Sequence, residues 1–215
     1  FSSLPDTDED GSTDGLTGVR DAAVAWGDLD GDRDPDLVVT GANDSFSPTT
    51  TVYTNGLAGG DGFSATSPDP IGVENGSVDW VDVDGDGDLD LFVAGAGSQN
   101  PVAALYENSG GSLAPLNPTP AGSSVALTGL ATPSADWADV DGDGDLDLAT
   151  TGGIPVGAES IDPVTVIYEN TTEPPPIIYV SPSGSDSNDG ASWGTAYRTL
   201  QKALQRALPT MTEEI

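Results

Sequence analysis

The sequence has 215 residues, with 36 acidic side chains, 5 basic ones and no histidine, so its formal net charge is −31. This excess of negative charge excludes a basic surface for binding nucleic acid or anionic lipid. The lack of cysteine and histidine excludes disulfides, thiolate or imidazole metal sites, and catalysis by either residue type. Carboxylate oxygens remain as metal ligands, and they favour hard divalent cations.

The N-terminal region is acidic and rich in turn-forming residues. Residues 1–4 look like the end of a preceding repeat, and because the chain begins with Phe1 rather than Met we expect a fragment or a processed product. An acidic stretch from Asp6 to Asp14 is interpreted as a surface loop, since no apolar strand follows it. The whole chain contains 28 glycines, 17 prolines and only 6% aromatic residues, which predicts a turn-rich β protein.

Three segments repeat without gaps, at 26–41, 80–95 and 137–152. Each starts with Trp and continues as Asp-x-Asp-x-Asp-x-Asp-x-Asp with interspersed glycine, then an apolar run. After each segment comes Tyr-x-Asn, at 53–55, 106–108 and 168–170. A period of about 55 residues accommodates four short strands, and it matches a propeller blade better than a solenoid coil.

The sequence therefore predicts an all-β fold, a partial β-propeller of about three four-stranded blades within residues 1–172. The runs 37–39 and 91–94 are apolar on both faces of a strand, as expected for an inner strand covered by neighbouring blades. Since propellers typically have four to eight blades, we expect the remaining blades upstream of this stretch or from elsewhere. We interpret Trp26, Trp80 and Trp137 as packing between blades rather than stacking on sugar.

The repeated aspartates predict a calcium site in each blade. Five carboxylates within nine residues repel one another strongly without a cation, and Ca²⁺ accepts six to eight oxygen ligands in irregular geometry. An EF-hand is excluded because Val39, Val93 and Thr150 stand where its bidentate Glu would be. The candidate ligands are Asp28, Asp30, Asp32, Asp34 and Asp36; Asp82, Asp84, Asp86, Asp88 and Asp90; and Asp139, Asp141, Asp143, Asp145 and Asp147.

These motifs resemble the FG-GAP/VCBS repeat, the blade unit of integrin-α-type β-propellers. The resemblance implies that calcium is bound between the first two strands of a blade, by side chains at loop positions 1, 3, 5 and 9 and a main-chain carbonyl at position 7. Position 7 corresponds to Asp34, Asp88 and Asp145. Arg33 stands where the other loops have Gly87 and Gly144, so we expect strain in the first loop if the backbone there needs a positive φ.

The last 39 residues differ in composition and are predicted to form a separate module. A proline linker at 173–176 precedes a strand at 177–180, a turn-rich segment at 181–190 and a helix from about 196 to 208. On that helix Tyr197, Leu200, Leu204 and Leu208 would share one face. The segment 177–215 resembles the N-terminal cap of a pectate-lyase-like right-handed parallel β-helix, truncated before any coil.

Two functions are compatible with these features. The first is a calcium-binding extracellular or cell-surface module for adhesion or ligand recognition, with a protein or polysaccharide as partner. The second is the N-terminal part of a secreted polysaccharide lyase or hydrolase whose β-helix active site lies beyond residue 215. We find no nucleophile with a base partner and no phosphate-binding glycine loop in this stretch, so we expect no catalytic residues within it.

Overall fold

The computed structural model describes residues 15–56, 62–66, 70–116, 127–156, 160–171, 179–189 and 191–207, and only the backbone of 204–207. The N-terminal stretch 1–4, the acidic segment from Asp6 to Asp14 and the linker 173–176 lie outside the described residues. The chain divides into two compact units, Phe1–Thr172 and Glu173–Ile215. No described helix is long and apolar enough to cross a membrane.

The first unit consists of three antiparallel sheets, which confirms the all-β fold class and the partial propeller blades. In the first sheet the strands pair in chain order: β1 (Arg20–Gly27), β2 (Asp36–Ala42), β3 (Pro48–Asn55) and β4 (Phe63–Ala65). The second sheet repeats this order with β5 (Glu74–Val81), β6 (Asp90–Ala96), β7 (Pro101–Asn108) and β8 (Leu113–Pro115). The third contains three described strands, β9 (Ala131–Ala138), β10 (Asp147–Val156) and β11 (Ser160–Tyr168).

The hydrophobic core lies between neighbouring sheets. Val38 of β2 packs in one cluster with Leu91 and Val93 of β6, while Phe92 on the opposite face of β6 packs with Leu148 of β10. All three β6 residues are fully buried. Strand β6 is therefore covered on both faces, which confirms the interpretation of its continuous apolar run.

Two of the three repeated tryptophans lie at the junctions between sheets, as predicted. A Cβ added to Gly27 would lie 2.5 Å from Cγ of Trp80, so glycine is needed where β1 meets β5. Trp137 contacts Phe92 edge to face, with ring centroids 5.6 Å apart. Trp26 differs, because it is 58% exposed and packs against Phe63 of its own sheet.

The first strand of each sheet carries the same irregularity. Asp21, Asn75 and Thr132 occupy equivalent positions and adopt positive φ values of 52°, 49° and 49°. In all three sheets the pairing register shifts at this point. A β-bulge thus recurs near the start of each blade.

The second unit corrects the predicted helix. Helix α1 spans Leu200–Ala207, and the preceding Tyr197 pairs instead with Val180 in a parallel bridge. The helix starts later than predicted because Thr199 caps it: the Thr199 hydroxyl accepts the main-chain N–H of Lys202 at 3.3 Å. The Asp186 carboxylate accepts the N–H groups of Arg198 and Thr199 just before the first turn.

The predicted apolar face of this helix is also wrong at one position. Tyr197 and Ala203 are buried, but Leu200 is 65% exposed. Tyr197 precedes the helix, so helical spacing does not place its side chain on the same face as that of Leu200. The start of the predicted strand, at 177–178, and Leu208 lie outside the described residues, and the side chain of Leu204 is not described.

Candidate metal centre

Each Asp-rich segment forms the loop between the first and second strands of its sheet, at 28–35, 82–89 and 139–146. The loops curl through carboxylates that accept main-chain N–H groups two residues ahead. Asp30 accepts from Asp32 at 3.2 Å and Asp32 from Asp34 at 2.8 Å, and the second loop repeats both bonds at 3.1 and 2.9 Å. These Asx turns form because Asp occupies alternate positions, and they curve the main chain of the loop back on itself.

The curled loops bring three carboxylates of each repeat together. One oxygen from each member of a group lies within 4.8 Å of the others. Two oxygens bound to the same Ca²⁺ at about 2.4 Å are at most about 4.8 Å apart, so this spread fits one ion per loop. The groups are Asp28, Asp30 and Asp32; Asp82, Asp84 and Asp86; and Asp139, Asp141 and Asp147.

Two of these carboxylates have an oxygen that is buried without a hydrogen-bond partner. Oδ1 of Asp28 and Oδ1 of Asp82 are shielded from solvent and accept no hydrogen bond from the described residues. Buried carboxylate oxygens without a donor are costly, and a bound cation removes that cost. The residues present therefore fit a hard divalent cation.

Burial and mutual repulsion also raise the pKa of some loop carboxyls. Asp84 has a raised pKa because of burial, with the nearby carboxylates of Asp86 and Asp82 adding to the shift against the opposing Asp86 N–H. In the third loop, burial and the adjacent Asp143 carboxylate raise the pKa of Asp145 to about 6. A cation would reverse both effects by favouring the ionised form.

The aspartate at loop position 9 has a structural function in every blade. In the second blade, Oδ2 of Asp90 accepts the N–H of Val83 at 3.0 Å, and Oδ1 accepts the N–H of Asn108 at 2.8 Å. Asp36 and Asp147 make the equivalent pairs of bonds. All three are nearly fully buried. This residue ties the loop to the third strand, and in the first two loops it is not part of the carboxylate group described above.

The third loop differs from the other two. Val140 is 61% exposed, whereas the equivalent Leu29 and Val83 are each 3% exposed. Asp139 accepts the N–H of Gly142, three residues ahead, at 2.6 Å, whereas Asp28 and Asp82 accept the N–H groups of residues five ahead, Arg33 and Gly87. Both oxygens of the buried Asp145 side chain lack a hydrogen-bond partner among the described residues.

The expected strain in the first loop is present. Arg33 has a φ of 76°, at the position where Gly87 and Gly144 have φ values of 97° and 104°. A Cβ at Gly87 would meet nothing within 4 Å, so the left-handed backbone rather than lack of space favours glycine there. Main-chain ligation by Asp34, Asp88 and Asp145 stays a prediction.

Asn108 and Asn170, the asparagines of the second and third Tyr-x-Asn motifs, have a function that the sequence did not reveal. Asn108 donates from its side chain to the main-chain oxygen of Leu29, and Asn170 donates to that of Val83. Each asparagine therefore contacts the Asp loop of the preceding blade. An Asn recurs at or just after the end of the third strand of each sheet, which is the only sequence signal of this function. The partner of Asn108 lies 79 residues away in the sequence, so the pattern does not identify it.

The comparisons with known proteins agree with the repeat. A family model described as FG-GAP-like repeat matches residues 28–93 and 82–150, which together cover more than half of the chain. No curated protein and no solved structure matches. Both matched ranges lie before residue 151, so they give no support to the β-helix resemblance at 177–215, which stays a prediction. The chain belongs to the family of FG-GAP-like repeat proteins.

Proposed function

We propose that this chain is a calcium-binding β-propeller repeat module of an extracellular or cell-surface protein, which serves adhesion or recognition of a protein or polysaccharide ligand. The function of calcium in this module is structural, because the ion holds the loop between the first two strands of each blade. The observation that carries the proposal is the pair of buried, unpartnered oxygens of Asp28 and Asp82, each within a group of converging carboxylates.

The balance of charge supports the same conclusion. Clustered carboxylates with raised pKa values destabilise the folded loop at neutral pH when no cation is present. Extracellular calcium modules have dissociation constants of about 10⁻⁴ to 10⁻³ M, which suits the millimolar calcium outside cells. At a hundredfold excess of calcium over that constant, each site stabilises the folded state by about 2.7 kcal/mol.

The proposal is tested with Asp84→Asn combined with Asp141→Asn. Asparagine keeps the side-chain oxygen that accepts the Asx-turn N–H, but removes a charged ligand from two loops. We expect this variant to melt several degrees below the parent protein in excess calcium, and at or slightly above it in chelator, where the substitutions relieve repulsion between carboxylates.

The control is Asp44→Asn with Asp162→Asn, which removes the same charge from exposed positions outside the loops. We expect the control to respond to calcium as the parent does. Equal losses of melting temperature with calcium and with chelator in the loop variant would contradict the proposal.

A further inference from the structure

Asn108 joins the Asp loops of the first two blades. Its Nδ2 donates to the main-chain oxygen of Leu29 at 2.8 Å and to that of Leu89 at 3.0 Å. Leu29 lies between Asp28 and Asp30 of the first loop, and Leu89 lies next to Asp90 at the end of the second. An amide nitrogen carries two hydrogens, and here one is used for each loop.

The other polar groups of Asn108 are also satisfied. Its main-chain N–H donates to Asp90, and its Oδ1 accepts the N–H of Gly111 at 3.0 Å. The residue is only 1% exposed. A buried side chain with its hydrogen bonds made is held in one orientation. A shift of the Leu29 carbonyl therefore moves the Asn108 amide and affects its bond to the Leu89 carbonyl, and the reverse also holds.

The turn that follows Asn108 contacts the same two loops. The N–H of Gly110 donates to Oδ2 of Asp88 in the second loop at 3.2 Å. Gly111 lies so close to the first loop that an added Cβ would be 3.1 Å from Cβ of Asp30. The connection therefore consists of a buried amide, which contacts residues adjacent to candidate ligands, and a packed turn, which contacts the candidate ligands Asp30 and Asp88 themselves.

The third loop provides a comparison within the same chain. Leu29 and Val83 are buried where the side chains of Asn108 and Asn170 reach them, whereas the equivalent Val140 is 61% exposed. No described residue donates a side-chain hydrogen bond to Val140. The second residue of a loop is thus buried in the two loops that an asparagine of the following blade contacts, and exposed in the third.

We propose that Asn108 is a positioning residue that couples the first two loops, so that a divalent cation in one loop raises the affinity of the other. The inference rests on the proposed calcium site. An ion that orders the first loop fixes the carbonyl of Leu29 and thereby the Asn108 amide, and this lowers the cost of ordering Leu89 in the second loop. The coupling is reciprocal, as binding linkage requires.

The test compares binding to paired and single loops by calorimetry, with calcium alone in about 0.15 M salt, where long-range repulsion between exposed charges is screened. Asp141→Asn silences the third loop throughout. Asp84→Asn or Asp30→Asn is then added to leave only the first or the second loop. We expect the product of the two stepwise association constants in the two-loop protein to exceed the product of the single-loop constants by about fivefold, at the low end of typical couplings.

The matched control keeps the first and third loops and silences the second with Asp84→Asn, since no described hydrogen bond joins those two loops. No excess is expected there. Asn108→Ser in the two-loop protein removes the amide, and the excess is expected to disappear while both loops still bind.

The proposed coupling is overturned if the two-loop protein with Asn108 intact shows no excess in the product of association constants. It is also overturned if the excess persists in Asn108→Ser. The comparison of the two-loop protein with the single-loop variants tests the coupling even if Asn108→Ser fails to fold. Binding with independent sites contradicts the coupling alone, whereas the absence of any calcium binding contradicts the proposed function as well.

Discussion

Single residues in the Asp loops have separate functions, although the loops look uniform in sequence. Asp28 and Asp82 present buried oxygens without donors, while Asp90 uses both of its oxygens to accept main-chain N–H groups. Asp28 and Asp82 therefore each have an oxygen that a cation could bind, whereas the hydrogen bonds of Asp90 stabilise the fold without an ion. The alternation of aspartates does not distinguish these roles.

Arg33 gives a prediction about backbone strain. A residue with a Cβ in the left-handed region costs about 1 kcal/mol or more, and Arg33 has a φ of 76°. We expect Arg33→Gly to be about 1 kcal/mol more stable in urea unfolding than Arg33→Ala, which also lacks the charge but keeps the Cβ. Gly87→Arg in the second loop is expected to lose a similar amount relative to the parent. If the glycine and alanine variants at position 33 are equally stable, the loop is not strained there.

The strands and the loops between them are linked through one buried carboxylate per blade. Asp90, at the start of β6, connects the second loop to the end of β7 through Val83 and Asn108. Burial raises the pKa of Asp90 to about 6, against the opposing effect of these two N–H donors. The element that positions the candidate site is therefore the hydrogen-bonded junction of two strands and a loop.

We predict that removing the Asp90 carboxylate lowers the free energy of unfolding by an amount that does not depend on metal. Asp90→Ala leaves two buried N–H groups without acceptors, which costs about 1–3 kcal/mol for each group. We expect a loss of unfolding free energy of similar size in calcium and in chelator, measured by denaturant unfolding. Asp88→Ala, an exposed change two residues away, serves as the control and should lose much less in chelator. A loss from Asp90→Ala that is confined to calcium would show that its main function is to hold the ion.

Much of the fold could be predicted at the level of elements, because its signals are local. The apolar runs after Asp36 and Asp90 have strand length, and the Asp and Gly spacing defines the loops between strands. The bond from Asn108 to Leu29 could not be predicted, since it depends on how successive blades stack. The left-handed residues at the start of each blade were also missed, because Asp21, Asn75 and Thr132 share no residue type.

At the scale of the whole molecule, negative charge accumulates where the second and third blades meet. Asp79 of β5 and Asp136 of β9 occupy the same position in neighbouring blades, where the first blade has Ala25. Burial and the Asp136 carboxylate raise the pKa of the half-buried Asp79. A net charge of −31 adds a general repulsion, so we expect the metal-free protein to be stabilised by salt.

Asp79→Asn tests this repulsion through its dependence on pH. A folded-state pKa above the unfolded value means that the ionised carboxylate destabilises the fold at neutral pH, and that this cost disappears as pH falls through the folded pKa. We expect Asp79→Asn to raise the melting temperature in chelator at pH 7, with the gain shrinking towards pH 4. Asp162→Asn, at an exposed position, should show a much smaller gain at pH 7. A gain from Asp79→Asn that is as large at pH 4 as at pH 7 would contradict this assignment.

The function proposed for this chain depends on the carboxylate groups of the three loops holding divalent cations. Calorimetric titration of the folded, metal-free protein with calcium tests this directly. We expect saturable binding that approaches one ion per loop, with the Asp84→Asn and Asp141→Asn variant losing the corresponding sites. The absence of any saturable heat at millimolar calcium, in protein shown to be folded, would contradict the account.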